Sequence, residues 1–288
     1  TDGTGNVGGE LKVETRDPGN STLTEKFRIK STGELLVGTP NLINTSPSKF
    51  QVAANDATGS AILARFNASV YSSYLDFYKS RSNTLGTAYV VNDDDHLGAI
   101  RYYAADGSNS GYTTAAEIYG SCDGGSGAAG DMPGRITFHT RPDGAGQSMQ
   151  ERLRISSSGL VMIGTTTEGE STADDLTIAT SGSTGITIRT GTTNQGNIYF
   201  ADGTSGASQY AGLISYNHNT NHMFFGTNDG TERLRITSGG VLCTGNYSTL
   251  LDTTSGSIQI NGNTSGGRLS FRGTSTSASA GLGEMHGF

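Results

Sequence analysis

The chain has 288 residues, and its composition excludes several classes of protein before any motif is considered. Glycine contributes 43 residues and tryptophan none, so a compact monomer of this length lacks the large side chains that its core needs. The net charge of −7 gives no basic surface for nucleic acid, and no apolar run is long enough to span a membrane. We therefore expect an elongated β structure whose thin core is shared between chains.

The predicted elements are short runs with apolar residues at alternate positions, bounded by Gly, Ser, Thr, Asn or Asp, which is the pattern of β-strands. No segment has a helical period of useful length, although a short helix over 61–66 or 115–118 remains open. In chain order the predicted strands are 9–18, 25–30, 50–52, 75–77, 98–102, 134–142, 151–156, 160–163, 176–178, 186–188, 198–200, 212–216, 232–237, 241–243, 258–260, 269–271 and 281–283.

Three of these strands carry one repeated signature. An internal repeat indicates the architecture of a chain more directly than any single motif does. It reads Glu, a basic residue, an apolar residue, Arg and Ile, then x-Ser-x-Gly, with a second glycine five residues later. The signature residues are Glu25, Arg28, Ile29, Gly33 and Gly38; Glu151, Arg154, Ile155, Gly159 and Gly164; and Glu232, Arg235, Ile236, Gly240 and Gly245.

The signature predicts a strand, a tight turn and a second short strand. Phe27 and Ile29 are two residues apart and share one face, whereas Arg28 points to the other face. The glycine that follows supplies the positive φ that a tight turn needs. The outer-face Glu and Arg have two interpretations: pairing across strands or between chains, or solvated charges of little energetic value.

The repeats divide the chain into modules of unequal length. We predict the end of a preceding β module at 1–49, a long module at 50–164 and a shorter module at 165–245. Residues 246–288 are predicted to begin a further, incomplete module, so we expect the sequence to be part of a longer polypeptide. The extra length of the long module lies in polar loops, where insertions disturb a β scaffold least.

The sequence resembles repeats in tail-fibre and tail-appendage proteins of tailed bacteriophages, notably marine ones. The resemblance is carried by the signature at 151–164 and by the segments 75–81, 97–101 and 131–136. It implies a homotrimeric, rod-like β fibre, of the β-helix or β-prism kind, that serves host adsorption. Such fibres often end in a self-cleaving intramolecular chaperone domain, and no segment of this sequence matches that domain.

The leading hypothesis is therefore a structural shaft or adsorption segment of a viral tail fibre, located in the virion outside the cell. Its expected partners are two further copies of itself, other tail proteins, and a glycan or protein of the host surface. Two alternatives remain: a tailspike-like depolymerase of host polysaccharide, and a cellular trimeric adhesin or extracellular filament. The absence of tryptophan argues against the aromatic-lined groove of a depolymerase, so we predict no enzymatic activity and no cofactor.

Three local motifs suggest chemistry but have stronger structural explanations. Gly3–Gly8 matches G-x-G-x-x-G without the preceding strand and following helix that phosphate binding needs. His218 and His222 would share a face of an extended backbone and bind an axial metal between chains, but the intervening asparagines favour a turn. Asn92–His96 offers oxygen ligands without the spacing of a calcium loop, so a solvated turn is favoured.

The two cysteines and several tyrosines complete the candidates. Cys122 and Cys243 are far apart in sequence and are predicted to be buried or idle thiols without a disulfide or zinc role. Tyrosine rings stack on sugars, so exposed tyrosines are candidate glycan contacts, although covering a narrow core is the more common role. The candidates are Tyr102, Tyr103, Tyr112, Tyr210 and Tyr216.

Overall fold

The computed structural model describes residues 8–16, 18–43, 48–54, 61–107, 111–125, 130–245 and 258–261, which form three β-sheets. The first sheet contains β1 (Leu11–Arg16), β2 (Leu23–Ile29), β3 (Leu35–Val37) and β4 (Phe50–Val52). The second contains β5 (His96–Ala105), β6 (Tyr112–Cys122), β7 (Gly134–Thr140), β8 (Gln150–Ile155), β9 (Val161–Ile163) and β10 (Leu176–Ile178). The third contains β11 (Gln195–Phe200), β12 (Gly212–Asn217), β13 (His222–Thr227), β14 (Thr231–Ile236), β15 (Leu242–Gly245) and β16 (Ile258–Asn261).

The all-β prediction is confirmed, because the described residues contain no α-helix and only one 3-10 turn, Gly206–Tyr210. Neither open helix forms: residues 115–118 lie in β6, and residues 61–66 are in neither helix nor strand. The predicted strands at 75–77 and 186–188 are wrong. At 75–77 the backbone has no ladder partner, and its Phe77 side chain packs against Gly98 instead. The predicted strands at 269–271 and 281–283 lie outside the described residues.

All three sheets follow one plan, an antiparallel meander that ends in a single parallel strand. The signature forms β2, β8 and β14, and a tight turn leads from each to a short antiparallel partner, β3, β9 or β15. A longer connection then brings back β4, β10 or β16 in parallel. Each returning strand therefore completes the sheet that precedes it in sequence. The described chain divides into two compact units, 1–184 and 185–288, and the module boundaries at 50, 165 and 246 stay a prediction.

The turn after the signature has the same geometry in all three copies. Gly33, Gly159 and Gly240 have φ of +86°, +88° and +82°, and each donates its N–H to the carbonyl three residues earlier, at 2.8–3.0 Å. A residue with a Cβ is strained at such φ values, which explains the invariant glycine within the repeat. The predicted strand, turn and strand are confirmed.

The second signature glycine marks a close backbone approach. At Gly38 and Gly164, φ is +76° and +73°, and a Cβ would lie 2.0 and 2.5 Å from the carbonyl oxygens of Ala53 and Ala179. These alanines follow the parallel strands β4 and β10. The glycines therefore let the returning strand pass beside the end of the short strand. In the third copy Gly245 is the last residue of β15.

Each sheet has one apolar face and one polar face, because side chains alternate along strands and keep to one face across a ladder. In the second sheet, one cross-strand row of the apolar face contains Ile100, Ile118, Phe138, Leu153 and Ile163. The adjacent row on the opposite face contains Ala99, Tyr119, Thr137, Arg154 and Met162. We use the terms apolar face and polar face for these two sides in each sheet.

Candidate functional site

The apolar faces are the exposed faces of the single chain. The signature isoleucines Ile29, Ile155 and Ile236 lie at equivalent positions and are 40%, 39% and 41% exposed. Their neighbours on the same faces follow this pattern, although such side chains normally define a core. The other apolar-face residues that are exposed include Leu11, Phe50, Ile100, Ile136, Phe138, Ile163, Leu176, Ile198 and Met223.

The polar faces, in contrast, are packed within the chain. Leu36, Met162 and Cys243, the middle or second residues of the short strands, are at most 2% exposed. Each is the direct cross-strand partner of a signature arginine, so the two side chains are neighbours on the polar face. The single chain thus covers these polar-face side chains with their own neighbours and leaves its apolar faces open. This reversal is the feature of the molecule that most needs a functional explanation.

A fork-shaped ion pair recurs in every copy of the signature. Arg154 donates from Nε and Nη2 to the two carboxylate oxygens of Glu151, at 2.7 and 2.9 Å. Arg28 binds Glu25 in the same way, at 2.8 and 2.6 Å, and Arg235 binds Glu232 through the same atoms. The hydrogen bond from Arg28 holds the pKa of Glu25 below its usual range. The partners lie in one strand, and in the first copy Arg28 also donates from Nη1 to Glu10, directly before β1, at 2.9 Å, so a contact between segments adds to the fork there. Pairing between chains stays a prediction.

A β-bulge explains how residues three apart share one face. In a regular strand, Glu151 and Arg154 would point in opposite directions. The register shifts between Phe138 and His139, which leaves Arg152 as an extra residue in β8 and restores both charged groups to the polar face. Gly164 donates its N–H to the carbonyl of Arg152 at 3.0 Å, which ties the bulge to the second signature glycine. The other two signature strands have equivalent register shifts.

The segment from 61 to 90, which we call the strap, exposes apolar side chains without forming a strand. Its most exposed members are Phe66 at 95%, Val70 at 96% and Leu85 at 102%. Other strap side chains that are more than half exposed are Ile62, Leu63, Tyr71, Tyr74, Leu75, Phe77, Tyr78, Tyr89 and Val90. The apolar faces and the strap are therefore the two uncovered apolar surfaces of the described chain.

The strap meets the second sheet at the start of β5. Phe77 lies so close to Gly98 that a Cβ on that glycine would be 2.6 Å from the Phe77 side chain. Beside this contact is an open cleft of about 500 Å³, lined by strap residues and by the apolar face. Its apolar lining includes Leu75, Phe77, Leu97, Ile100, Ile118 and Ile136.

Residues 92–95 form the predicted turn, but their carboxylates are bound by arginines. Arg81 donates two hydrogen bonds to Asp95, at 2.6 and 2.7 Å, and these bonds hold the pKa of Asp95 far below its usual value. Arg135 donates to Asp123 at 2.9 Å and to Asp94. Asp123 in turn accepts the N–H of Ser157 at 2.7 Å. This network joins the turn to the signature hairpin and assigns the charges to scaffold contacts.

Three candidate tyrosines lie on the β5–β6 hairpin, which extends beyond the neighbouring strands of its sheet. Tyr102, Tyr103 and Tyr112 are 54%, 47% and 47% exposed. Hydrogen bonds with Thr114 and Arg101 lower the pKa of Tyr103. Arg101 also donates to the hydroxyl of Tyr119, at 3.0 Å.

Of the two histidine candidates, His218 lies in the turn between β12 and β13, and His222 is the first residue of β13. His222 is 8% exposed, and its Nδ1 lies 2.6 Å from the Thr220 hydroxyl. Burial and the charge of Arg235 lower the pKa of His222. His218 packs edge-on against Tyr216, with ring centroids 4.9 Å apart. The predicted turn is confirmed, and the histidines contact different neighbours.

The remaining candidates are placed as follows. Cys122 and Cys243 are fully buried free thiols, as predicted. Tyr210 lies in the 3-10 turn beside Tyr199, with ring centroids 6.2 Å apart. The described ranges contain no group of three or more His, Cys, Asp or Glu arranged to hold a metal ion. Of Gly3–Gly8, only Gly8 lies in the described residues.

No helix among the described residues is long and apolar enough to cross a membrane.

No model of a known protein family and no curated protein matches the chain. Among solved structures, the chain is similar to the carboxy-terminal domain of the bacteriophage T5 L-shaped tail fibre. That match has 13% identity and a TM-score of 0.31, and covers 76% of this chain and 99% of the other. A structure of the same domain with its intramolecular chaperone domain matches at 14% identity and a TM-score of 0.36, over 79% and 72% of the two chains.

Proposed function

We propose that the chain is a structural segment of a bacteriophage tail fibre that assembles as a homotrimer and takes part in host attachment. The observation that carries the proposal is the exposed apolar face of each sheet, which ordinary solvation does not explain. Three chains that turn these faces toward one another form the core that each chain lacks. The choice of three copies and of a tail fibre rests on the resemblance of the repeated signature.

Mutation of the apolar face tests the assembly. Ile155→Asp places a charge where the proposal puts a core between chains, and Ser158→Asp places the same charge on an exposed turn of the same hairpin. We expect Ile155→Asp to abolish the trimer in sedimentation velocity experiments and Ser158→Asp to retain it. Equal assembly of the two variants contradicts the proposal.

Attachment at the virion surface is the second part of the proposal. With the apolar faces covered, the polar faces and the β5–β6 hairpin remain on the outside. Tyr103 and Tyr112 then present rings and hydroxyls suited to a host glycan or protein. Antibodies against the chain should label virion tails in electron microscopy, and their antigen-binding fragments should block adsorption. Labelling of a cell surface without virions would instead favour a cellular adhesin.

The proposed role is non-catalytic. The carboxylates nearest to the Asn92–His96 turn are bound to arginines, which leaves them poorly suited to acid–base chemistry. Incubation of the purified assembly with surface polysaccharide from a susceptible host should leave the polymer length unchanged in size-exclusion chromatography. Shortened chains would establish the depolymerase alternative.

A further inference from the structure

The strap is an exposed apolar segment whose contacts with the sheet, among the described residues, lie near its carboxyl end. Near its carboxyl end, Phe77 packs on Gly98, and Arg81 forms its two hydrogen bonds with Asp95. The hydrogen bonds of its amino-terminal part are local, such as those from Ser69 to Asn67 and from Tyr71 to Ser69. The strap therefore contacts the apolar face of its own second sheet near Phe77, and its amino-terminal part is left uncovered.

The exposed area of the strap matches what a stable protein interface needs. The three aromatic residues of 61–74, Phe66, Tyr71 and Tyr74, are 62–95% exposed, so with about 200 Å² per ring they offer on the order of 450 Å². The exposed side chains of Ile62, Leu63 and Val70 add to this area. A stable interface buries roughly 800 Å² on each partner. An apolar surface of this size on a soluble chain indicates an interaction site.

We propose that residues 61–74 of one copy pack on the second sheet of a second copy, with Phe66 entering the cleft beside Gly98. This inference rests on the self-assembly proposed above and names a residue that the neighbouring copy contributes. Every copy carries both the exposed segment and the open cleft, so a closed ring of identical chains satisfies all of them. The cleft is lined by Leu75, Ile100, Ile118 and Ile136, which suit an aromatic ring. Within its own chain, Phe66 is 95% exposed and leaves the cleft open.

Photo-crosslinking locates the strap. The full chain is prepared with benzoylphenylalanine in place of Phe66, and light and 15N-labelled chains are assembled together. We expect crosslinks between light and heavy peptides at residues 97–100, 118–120 or 136. Benzoylphenylalanine at Ser158, on the exposed hairpin turn, serves as the control and should not crosslink to those peptides. Crosslinks within one chain, crosslinks to other regions, or none at all overturn the proposal.

Assembly strength gives an independent readout. Phe66→Ser should raise the concentration at which the assembly dissociates at least tenfold, whereas Ala68→Ser, on the same exposed segment, should leave it unchanged. An unchanged value for Phe66→Ser in an assembly that remains trimeric overturns the strap placement and leaves the proposed function intact. A wild-type chain that is monomeric at all concentrations overturns both.

Discussion

The signature shows how single residues build a repeated scaffold. The extra residue at the bulge turns Glu151 and Arg154 to one face, and their two hydrogen bonds then hold the bulge. Both side chains are 19% exposed, so the pair is partly removed from water. Hydrogen bonds to charged groups in such places contribute more than exposed ion pairs do.

A double-mutant cycle tests this pair. Glu151→Gln and Arg154→Met should each destabilise the assembly by about 1–2 kcal/mol, with a coupling energy of similar size. Arg152→Gln, at the exposed bulge position, should cost less than about 0.5 kcal/mol. Thermal or denaturant unfolding supplies the free energies. Additive effects of the first two changes would mean that the fork is incidental.

The two signature glycines differ in a way that mutation separates. Both Gly159 and Gly164 have positive φ, but a Cβ on Gly159 meets open space and one on Gly164 meets the Ala179 carbonyl. Gly159→Ala should therefore cost about 1 kcal/mol of backbone strain, and Gly164→Ala at least about 2 kcal/mol. Equal unfolding midpoints for the two variants would contradict a close approach of the returning strand.

His222 gives the chain a pH dependence whose sign follows from its lowered pKa. Its pKa in the fold lies below the unfolded value of about 6.5, so the unfolded chain takes up the proton first. The stabilisation is complete above that value and is lost as the pH falls through the pKa of the folded state. We expect the unfolding temperature to fall between pH 7.5 and 5.5, and His222→Asn to flatten the slope. A flat wild-type profile would contradict this role.

At the scale of elements, the repeated signature predicts its own strands and turns well, but it predicts the neighbouring strands of each sheet poorly. The strands, turns and glycines of the signature follow from apolar alternation and positive φ, so residues 25–38, 151–164 and 232–240 fold as expected. β6 is not among the predicted strands, because Ala116 and Gly120 on its apolar face are too small to show alternation. The parallel pairing of β10 with β9 joins segments that sequence alone assigns to different modules.

The ion pairs of the candidate site are harder to predict from sequence than the strands, because they depend on pairing between distant segments. Arg135, in β7, binds Asp94 and Asp123, which lie in two separate loops. No spacing of residues along the sequence predicts that contact. Likewise, the register shift in β8 is what pairs Glu151 with Arg154. The apolar-x-Phe pattern at 75–77 predicts a strand, but Phe77 contacts Gly98 from a segment that forms no strand.

The contact between Phe77 and Gly98 yields a prediction at this scale. Gly98→Ala places a Cβ 2.6 Å from Phe77 and should displace the strap from β5. Limited trypsin digestion should then cleave after Lys79 or Arg81 several-fold faster than in wild type. Gly125→Ala, where a Cβ meets open space, is the matched control. Unchanged cleavage after Gly98→Ala would show that the strap does not depend on this contact.

At the scale of the whole molecule, composition and structure lead to one conclusion. A chain with 33% hydrophobic residues and no tryptophan places many of its apolar side chains on open faces and on the strap. Those surfaces gain free energy only when they are covered, at about 25 cal/mol per Å² of apolar area. In the proposed function, assembly with other copies is the step that covers them and completes the core.

Native mass spectrometry of the purified full chain tests this central claim most directly. The account predicts a dominant species at three times the chain mass of 29.8 kDa, with little folded monomer at micromolar concentration. Its charge-state distribution should be narrow, as expected for a folded assembly. A folded, monodisperse monomer at 29.8 kDa would contradict the account, because such a monomer must tolerate its exposed apolar faces without a partner.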